Sequence, residues 1–397
     1  MQDYRQIFLK YIGQTSPEPM MLDITGAEGV FLHGPAGEKY IDLISGVSVS
    51  NTGHRHPRVV RAIKDQADDY LHLMVYGEFI ESPQVRYAEK ICSLLPPGLD
   101  TCFFVNSGSE AVEGAMKLAK RFTGRTKIVS FNNAYHGSTH GALSIQGSEQ
   151  YKNAFRPLLP DVWQIGFNDF SSLGTIDSAT ACVIVEPVQA EAGVIYPVPG
   201  FLRELRRKCT ASGALLVFDE VQTGFGRTGS IFACEKFGVT PDIIVLAKAL
   251  GGGLPLGAFI SSYGIMSTLS HHPVLGHITT FGGHPLCCAA GLAALEVILE
   301  EDLAGKAKTK SDLFRQLLVH PAIKEIRGDG LLMAAELNDP YLAAKAVKNA
   351  PRSGIILDYF LFCDSAFRIA PPLVINEDEI RLACERINNL LELVSGK

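Results

Sequence analysis

Four short apolar runs in the middle of the chain each lead into a residue capable of chemistry, and this repeated pattern constrains the fold most strongly. CFFVN precedes Ser107, CVIVE ends at Glu186, LLVFD ends at Asp219, and IIVLA precedes Lys248. Short apolar strands separated by helical segments are typical of a mostly parallel sheet that is covered by helices on both faces. Because ligands collect beyond the carboxyl ends of such strands, we expect a binding site at that edge.

The pattern changes along the chain and predicts an α/β protein with a large and a smaller domain. An early hairpin, GVFLHG and EKYIDL across a Pro-Gly turn, lies in a predicted N-terminal segment, residues 1–50, that contributes to the small domain. Residues 51–290 alternate between strands and helices, with KIVSF and LGAFISS as two further predicted strands, and form the predicted large domain. Residues 291–397 have a different character and form the predicted small α+β domain. A chain of 397 residues is long enough to bury two cores.

Composition and charge exclude several classes of partner. The net charge of -6 and the lack of a Lys/Arg-rich run argue against nucleic acid. No apolar stretch approaches the roughly 20 residues that span a bilayer, and the N-terminus does not have the pattern of a secretory signal. Nine scattered cysteines are typical of buried thiols in a reducing cytoplasm, and the histidine pairs lack metal-ligand spacing. We therefore predict a cytoplasmic protein without a metal, a membrane partner or a nucleic-acid partner.

Two of the strand ends suit an aldehyde cofactor. Lys248, in a partly dry crevice, would have a lowered pKa and react with an aldehyde, although an exposed loop lysine is the alternative. Asp219 closes a buried run and needs a cationic or hydrogen-bonded partner, such as a protonated pyridine nitrogen. The alternative is that Asp219 caps a following helix. Gln222 lies three residues later and could reach a ring oxygen from the same turn.

The strand end at Ser107 predicts an anion site. Gly108 permits a close backbone approach, Ser109 adds a hydroxyl, and the first amides of the following helix would face a phosphate. A capping box between Ser107 and Glu110 explains the same residues equally well.

Three further features could contribute to the same site. Tyr135 could cover one face of a planar cofactor, or it could be a surface aromatic residue. The loop at residues 279–283, rich in hydroxyls and glycine, could supply more phosphate contacts, or it could be a simple turn. Arg368 lies between apolar residues and suits a carboxylate through its bidentate guanidinium. A structural ion pair with Glu191 is the alternative for this arginine.

Taken together, these motifs resemble the class III pyridoxal-phosphate aminotransferases of fold type I, and most of all the acetylornithine and ornithine aminotransferase group. The string LLVFDEVQTGFGRTG, followed by PDIIVLAKALGGGLPLGA, carries the resemblance most specifically. The resemblance extends from about residue 29 to about residue 380. It implies a large domain with a mostly parallel seven-stranded sheet, a smaller α+β domain, a pyridoxal 5'-phosphate cofactor and a homodimer with shared active sites.

The resemblance also implies roles for individual residues. Lys248 would form the internal Schiff base and later shuttle the proton, while Asp219 would hold the pyridine nitrogen. Arg368 would take a substrate carboxylate, with Glu191 as its gate. The other residues that it assigns to the cofactor are Ser107, Gly108, Ser109, Tyr135, His136, Glu186, Val221, Gln222 and, from the neighbouring subunit, Thr280.

Two positions depart from the resemblance and concern the substrate. Ser138 stands where the group usually has an arginine that grips the distal carboxylate of glutamate or 2-oxoglutarate. Val47 stands in a segment where ornithine enzymes have a tyrosine. Together with Tyr76, these residues are predicted to shape the substrate pocket.

The predicted function is ping-pong transamination through Lys248. An amine or amino acid, possible donors including an omega-amine such as N-acetylornithine, gives its amino group to a 2-oxo acid. Decarboxylation or an intramolecular amino shift on the same fold is an alternative, because function depends on the site and not on the fold. A non-enzymatic cofactor-binding protein is a further alternative, but it would not need the set of Lys248, Asp219 and Gln222.

Overall fold

The computed structural model describes residues 4–75 and 77–396, and within them fourteen strands form three sheets. The strands are β1 (Gly26–Glu28), β2 (Phe31–His33), β3 (Lys39–Asp42), β4 (Thr101–Val105), β5 (Lys127–Phe131), β6 (Val162–Ile165), β7 (Thr180–Val185), β8 (Leu215–Asp219), β9 (Ile243–Leu246), β10 (Gly257–Ser261), β11 (Ile323–Asp329), β12 (Leu332–Leu337), β13 (Ile355–Ile356) and β14 (Ala366–Ile369).

The helices of the described residues surround these sheets. They are α1 (Tyr4–Tyr11), α2 (Ser45–Ser48), α3 (Pro57–Asp69), α4 (Ser82–Cys92), α5 (Gly108–Thr123), α6 (His140–Ser144), α7 (Glu149–Lys152), α8 (Phe201–Ser212), α9 (Ala233–Phe237), α10 (Tyr263–Met266), α11 (Pro285–Glu300), α12 (Leu303–Leu317), α13 (Pro340–Asn349) and α14 (Glu377–Ser395). None of the described helices combines the length and the apolar character needed to cross a membrane.

The central sheet has seven strands in the order β4-β10-β9-β8-β7-β5-β6. Strand β10 runs antiparallel to both of its neighbours, and the other neighbouring pairs are parallel. This confirms the predicted mostly parallel seven-stranded sheet. The sequence pattern indicated every strand of it except β6, an edge strand whose Trp163 is half exposed.

Both faces of the central sheet are covered, as its apolar strands require. Every residue of β7, β8 and β9 is buried. In β8, Leu216 and Phe218 belong to one hydrophobic cluster, whereas Leu215 and Val217 belong to a second cluster that also contains residues of α5. Successive side chains of a strand point to opposite faces, so an unbroken apolar run is stable only where helices cover both sides.

Two smaller sheets complete the fold. The N-terminal hairpin pairs in parallel with the distant strand β13, giving the order β1-β2-β3-β13, and the other sheet has the order β11-β12-β14. Helix α11 continues across residue 290. The domain boundaries at residues 50 and 290 stay predictions.

Candidate active site

A cavity of about 440 Å³ opens where the carboxyl ends of the parallel central strands meet, at the edge predicted from the sequence. The strands β4, β5, β7, β8 and β9 all lead into it. The predicted site residues that line it are Ser107, Gly108, Ser109, Tyr135, His136, Glu186, Asp219, Val221, Gln222 and Lys248.

Lys248 presents an amine without a partner to this cavity. It follows β9 and begins a short 3₁₀ turn, with a left-handed φ of 52° that is uncommon for a residue other than glycine. No hydrogen bond or ion pair joins its Nζ atom to another described residue. Burial lowers the pKa of Lys248 to about 8, although the charge of Glu191 opposes the shift. The amine is therefore a nucleophile near neutral pH.

Asp219 is held by two hydrogen bonds at the floor of the cavity. Its Oδ2 atom lies 2.7 Å from Nδ1 of His136, and its Oδ1 atom accepts from the backbone N–H of Val221 at 3.0 Å. Burial lowers the pKa of His136, but the hydrogen bond and charge of Asp219 outweigh this, so that the pKa is raised above its ordinary value. A turn and not a helix follows Asp219, so the helix-cap alternative does not apply.

Glu186 is a second buried carboxyl group beside this pair. It accepts hydrogen bonds from the backbone N–H groups of Tyr135 and Ala190, at 3.1 Å and 3.3 Å. Burial raises the pKa of Glu186 to about 8, and the charge of His136 offsets part of that shift. Its two hydrogen bonds to the backbone fix the loop that carries Tyr135.

The N-terminus of α5 forms one end of the cavity. Ser107 is its N-cap and accepts from the N–H of Glu110 at 3.2 Å, which is half of the predicted capping box. The carboxylate of Glu110 accepts from the backbone and side chain of Asn106 instead of from Ser107. The N–H groups of Gly108 and the residue after it remain available to an anion.

Gly137 brings a second loop against this helix end. Its φ is 126°, and a Cβ atom added there would lie 2.1 Å from Oγ of Ser109. Only glycine permits this approach, which lets the N–H of Ser138 donate to Ser109 Oγ at 3.2 Å.

Arg368 lies behind Gln222 and does not line the cavity itself. It donates to Oε1 of Gln222 at 2.8 Å and to Oε1 of Glu191 at 2.7 Å, and Gln222 donates to the same Glu191 oxygen. Burial would raise the pKa of Glu191, but the charge of Arg368 lowers it overall. The ion pair with Glu191, left open as an alternative above, is therefore present, and Arg368 Nε is buried without a partner.

The remaining predicted residues are not among those that line the cavity. Ser138 is exposed at its mouth, where its hydroxyl lies 3.2 Å from the hydroxyl of Tyr135. Val47 is half buried in a left-handed turn and is not among the lining residues. Thr280 is exposed on a loop that does not reach the cavity of its own chain. Tyr76 lies outside the described residues.

Several lining residues were not identified from the sequence. Most of them come from loops whose position depends on distant packing, although Asn106 directly follows β4 and could have been recognised from that position. The residues missed are Val49, Asn106, Val188, Thr223, Ala247, Gly253, Leu254, Pro255 and Leu256.

The donor set fits pyridoxal 5'-phosphate. The end of α5 offers amides to a phosphate, the free amine of Lys248 suits an aldehyde, and the carboxylate of Asp219 suits a cationic ring nitrogen. In addition, the buried Nε2 atom of His136 has no hydrogen-bond partner among the described residues. A buried polar atom normally has such a partner, and a bound group would supply it here.

Comparisons with known proteins agree with this geometry. The profile of the family described as aminotransferase class-III matches residues 12–391. An acetylornithine aminotransferase of Methanopyrus kandleri is 40% identical over an alignment of 394 residues, which covers 98% of this chain and 99% of that protein. Ornithine aminotransferase 2 of Staphylococcus aureus is 37% identical, with 94% and 95% coverage of this chain and of that protein. The solved structure of a Toxoplasma gondii ornithine aminotransferase, with pyridoxal phosphate at partial occupancy in its active site, has a TM-score of 0.91 and 32% identity, covering 99% of this chain and 94% of that one.

Proposed function

The chain belongs to the class-III aminotransferases, and from this premise we propose that its cavity is the site where pyridoxal 5'-phosphate is bound and transamination takes place. The enzyme is a transaminase that takes an amino group from an amine or amino acid and gives it to a 2-oxo acid. The names of its relatives favour this reaction over decarboxylation and over an intramolecular amino shift.

One observation carries the assignment of the site: Lys248 and Asp219 line the same cavity, and the helix end at Ser107 closes it. When bound, the cofactor supplies an aldehyde for attachment and an electron-withdrawing ring. Such a group needs an amine, an acid and an anion site in one cavity. The residues present supply all three.

The protein's own groups would then divide the work. Lys248 would bind the cofactor and, when released, move a proton at its Nζ atom, which a pKa of about 8 permits near neutral pH. Asp219 would keep the proton on the ring nitrogen, with His136 fixing its carboxylate. Gly108 and Ser109 would hold the phosphate, Tyr135 would cover the ring, and all of them would exclude water.

We propose further that Arg368 binds the carboxylate of the substrate. Its bond to Glu191 must open for this, because that carboxylate occupies one edge of the guanidinium. Glu191 would therefore act as a gate, closing over Arg368 when an amine end without a carboxylate enters. The buried Nε atom of Arg368, which has no partner, leaves donor capacity for an incoming acid.

The donor is proposed to be an amine or an amino acid, a class that includes omega-amines such as N-acetylornithine. The names of the relatives at 40% and 37% identity support acetylornithine or ornithine as the class. Val47 and Ser138, with Tyr76, stay the residues proposed to tune this choice.

The working unit is proposed to be a homodimer with shared active sites. The loop that carries Thr280 is apolar and exposed, and its Phe281 ring lies 4.7 Å from the ring of His72 on a second exposed segment. We call residues 71–75, 77–80 and 274–281 together the apolar surface, and Ile80 within it is 94% exposed. Patches of this kind mark interfaces between proteins. A second copy seated there would bring Thr280 to its partner's cavity.

A reducing compartment, the cytoplasm, is proposed as the location. All nine cysteines are free thiols, and most of them are buried. Burial raises the pKa of Cys182 and Cys209 to about 12, which keeps these thiols protonated and unreactive.

Replacement of the lysine tests the proposal directly. Lys248→Ala should reduce turnover to background in a panel of amine donors offered with 2-oxo acids, and it should still bind pyridoxal phosphate. The exposed Lys64→Ala is the matched control and should keep wild-type activity. Turnover retained by Lys248→Ala would overturn the assignment.

A further inference from the structure

We infer that the amino acceptor of this enzyme is a 2-oxo acid with a single carboxylate, the class of pyruvate, and not a dicarboxylic acid such as 2-oxoglutarate. The inference rests on the proposed function. In the overall transfer, one carbon–nitrogen bond breaks in the donor and one forms at the 2-oxo carbon. The 2-oxo carbon loses its carbonyl oxygen as water and gains the hydrogen and electron pair that the donor carbon gives up, while the donor carbon takes a carbonyl oxygen from water, so that pyruvate would yield alanine.

The cavity has few cationic side chains to receive carboxylates. A carboxylate that leaves water needs a cation or several donors in exchange. Among the described lining residues, Lys248 is the sole lysine or arginine, and its nitrogen serves the cofactor. Arg368 lies one contact further away, where its guanidinium donates to the lining residue Gln222 at 2.8 Å. One arginine provides for one carboxylate.

The mouth of the cavity, where a distal carboxylate would lie, offers no cation from its own described side chains. Tyr135 and Ser138 present neutral hydroxyls there, already within 3.2 Å of each other. Thr139, the residue after Ser138, donates its hydroxyl to the carboxylate of Glu113 at 2.7 Å, and the same carboxylate accepts from the N–H of Gly141 at 2.8 Å. The charged group next to Ser138 is therefore negative and would repel a second carboxylate.

A second copy of the chain, seated on the apolar surface, would add no lysine or arginine from the segments that form this surface. Residues 249–305, which include the loop with Thr280, contain no lysine or arginine. Residues 71–85, which include the other half of the apolar surface, contain none either, but they contain Glu78 and Glu81. These segments therefore bring no permanent positive charge to the partner's cavity.

The wild-type holoenzyme allows the decisive comparison without any variant. The cofactor is first converted to its amino form with an accepted amine, and the return of its absorbance is followed after mixing with pyruvate or with 2-oxoglutarate. We expect kcat/KM for pyruvate to exceed that for 2-oxoglutarate by about tenfold or more, which corresponds to one charged contact. Calorimetric titration of the holoenzyme should show that glutarate, a dicarboxylate that cannot react, binds no tighter than butyrate.

A charge introduced at the mouth should reverse the preference. Ser138→Arg should raise kcat/KM for 2-oxoglutarate about tenfold and tighten glutarate binding, with a smaller change for pyruvate. Ser178→Arg adds the same charge before β7, at the opposite edge of the sheet. It should change neither kcat/KM for 2-oxoglutarate nor the affinity for glutarate. A loss of cofactor by Ser138→Arg would leave the wild-type comparison to decide.

The outcomes separate this inference from the proposed function. If the wild-type enzyme uses 2-oxoglutarate as fast as pyruvate or faster, the acceptor inference is wrong and transamination stands. If no amine in the panel converts the cofactor and neither acid is consumed, the proposed function itself is wrong.

Discussion

His136 and Asp219 share a hydrogen bond of 2.7 Å beneath the cavity, and both side chains are almost completely buried. The bond orients one carboxylate oxygen, and the N–H of Val221 holds the other at 3.0 Å. A carboxylate fixed in this way, in a cavity of low polarity, interacts strongly with a positive charge and needs no reorganisation when that charge appears.

Asp219→Asn should therefore lower kcat by roughly 100- to 1000-fold, the usual cost of removing one preorganised electrostatic group. Asparagine keeps the shape and the hydrogen bond from Val221 but cannot stabilise a cationic ring nitrogen. Steady-state kinetics with one accepted amine would measure the loss, and the exposed Asp69→Asn should leave kcat unchanged. A kcat within threefold of wild type in Asp219→Asn would contradict the role given to this residue.

The pH dependence of cofactor attachment should follow the lysine. Burial lowers the pKa of Lys248 to about 8, so the nucleophilic free amine dominates above pH 8 and falls tenfold per pH unit below it. The rate of attachment of pyridoxal phosphate to the apoenzyme, followed by absorbance, should level off near pH 8. An ordinary lysine would level off only near pH 10.5.

Glu191→Gln provides the check on this assignment, because the charge of Glu191 raises the pKa of Lys248. Removing that charge should move the midpoint of the attachment profile below that of the wild type. A midpoint that rises, or one near 10 in the wild type, would show that burial does not control this amine.

The sequence predicted the central sheet because its strands are buried on both faces and therefore apolar throughout. It failed for β6, which pairs only with β5 at the edge and has a half-exposed Trp163. The edge position of β6 tolerates the polar Gln164 within the strand, whereas the opposite edge strand, β4, keeps the apolar run CFFV and was identified.

The site residues that could be predicted from the sequence lie at strand ends, and those that could not be predicted lie mostly on loops. Lys248 and Asp219 sit directly at strand ends, where topology alone brings them together. Val49 and Leu254 reach the cavity from loops held by distant packing, which no local pattern encodes. Whether Thr280 belongs to the site depends on a second chain, which the sequence of one chain does not position.

The apolar surface yields a prediction about assembly. Ile80→Glu should weaken the proposed dimer at least tenfold, because a charge replaces an isoleucine whose burial contributes roughly 1.5–3 kcal/mol. Sedimentation equilibrium over a dilution series would measure the shift to monomer, and activity should fall with it. Val319→Glu introduces the same charge at a site that is 76% exposed elsewhere and should not affect assembly. An unchanged mass for Ile80→Glu would place the interface on another surface.

Arg227 connects three distant parts of the chain in the interior of the protein. Its side chain is completely buried, and it donates to Oδ1 of Asn51 at 2.8 Å and to the carbonyl oxygens of Leu331 and Pro371. No carboxylate of the described residues lies within ion-pair distance of it. Burial accordingly lowers the pKa of Arg227 to about 9.

Arg227→Met tests whether these hydrogen bonds outweigh the cost of the buried charge. Methionine removes that cost, but it leaves three buried acceptors unpaired, at about 1–3 kcal/mol each. We therefore expect a net loss of about 3 kcal/mol in the free energy of unfolding, measured by urea titration of cofactor-loaded protein. The exposed Arg381→Met should change stability by less than about 0.5 kcal/mol. Equal stability of Arg227→Met and wild type would mean that desolvation of the guanidinium cancels its hydrogen bonds, and that this arginine does not hold the three segments together.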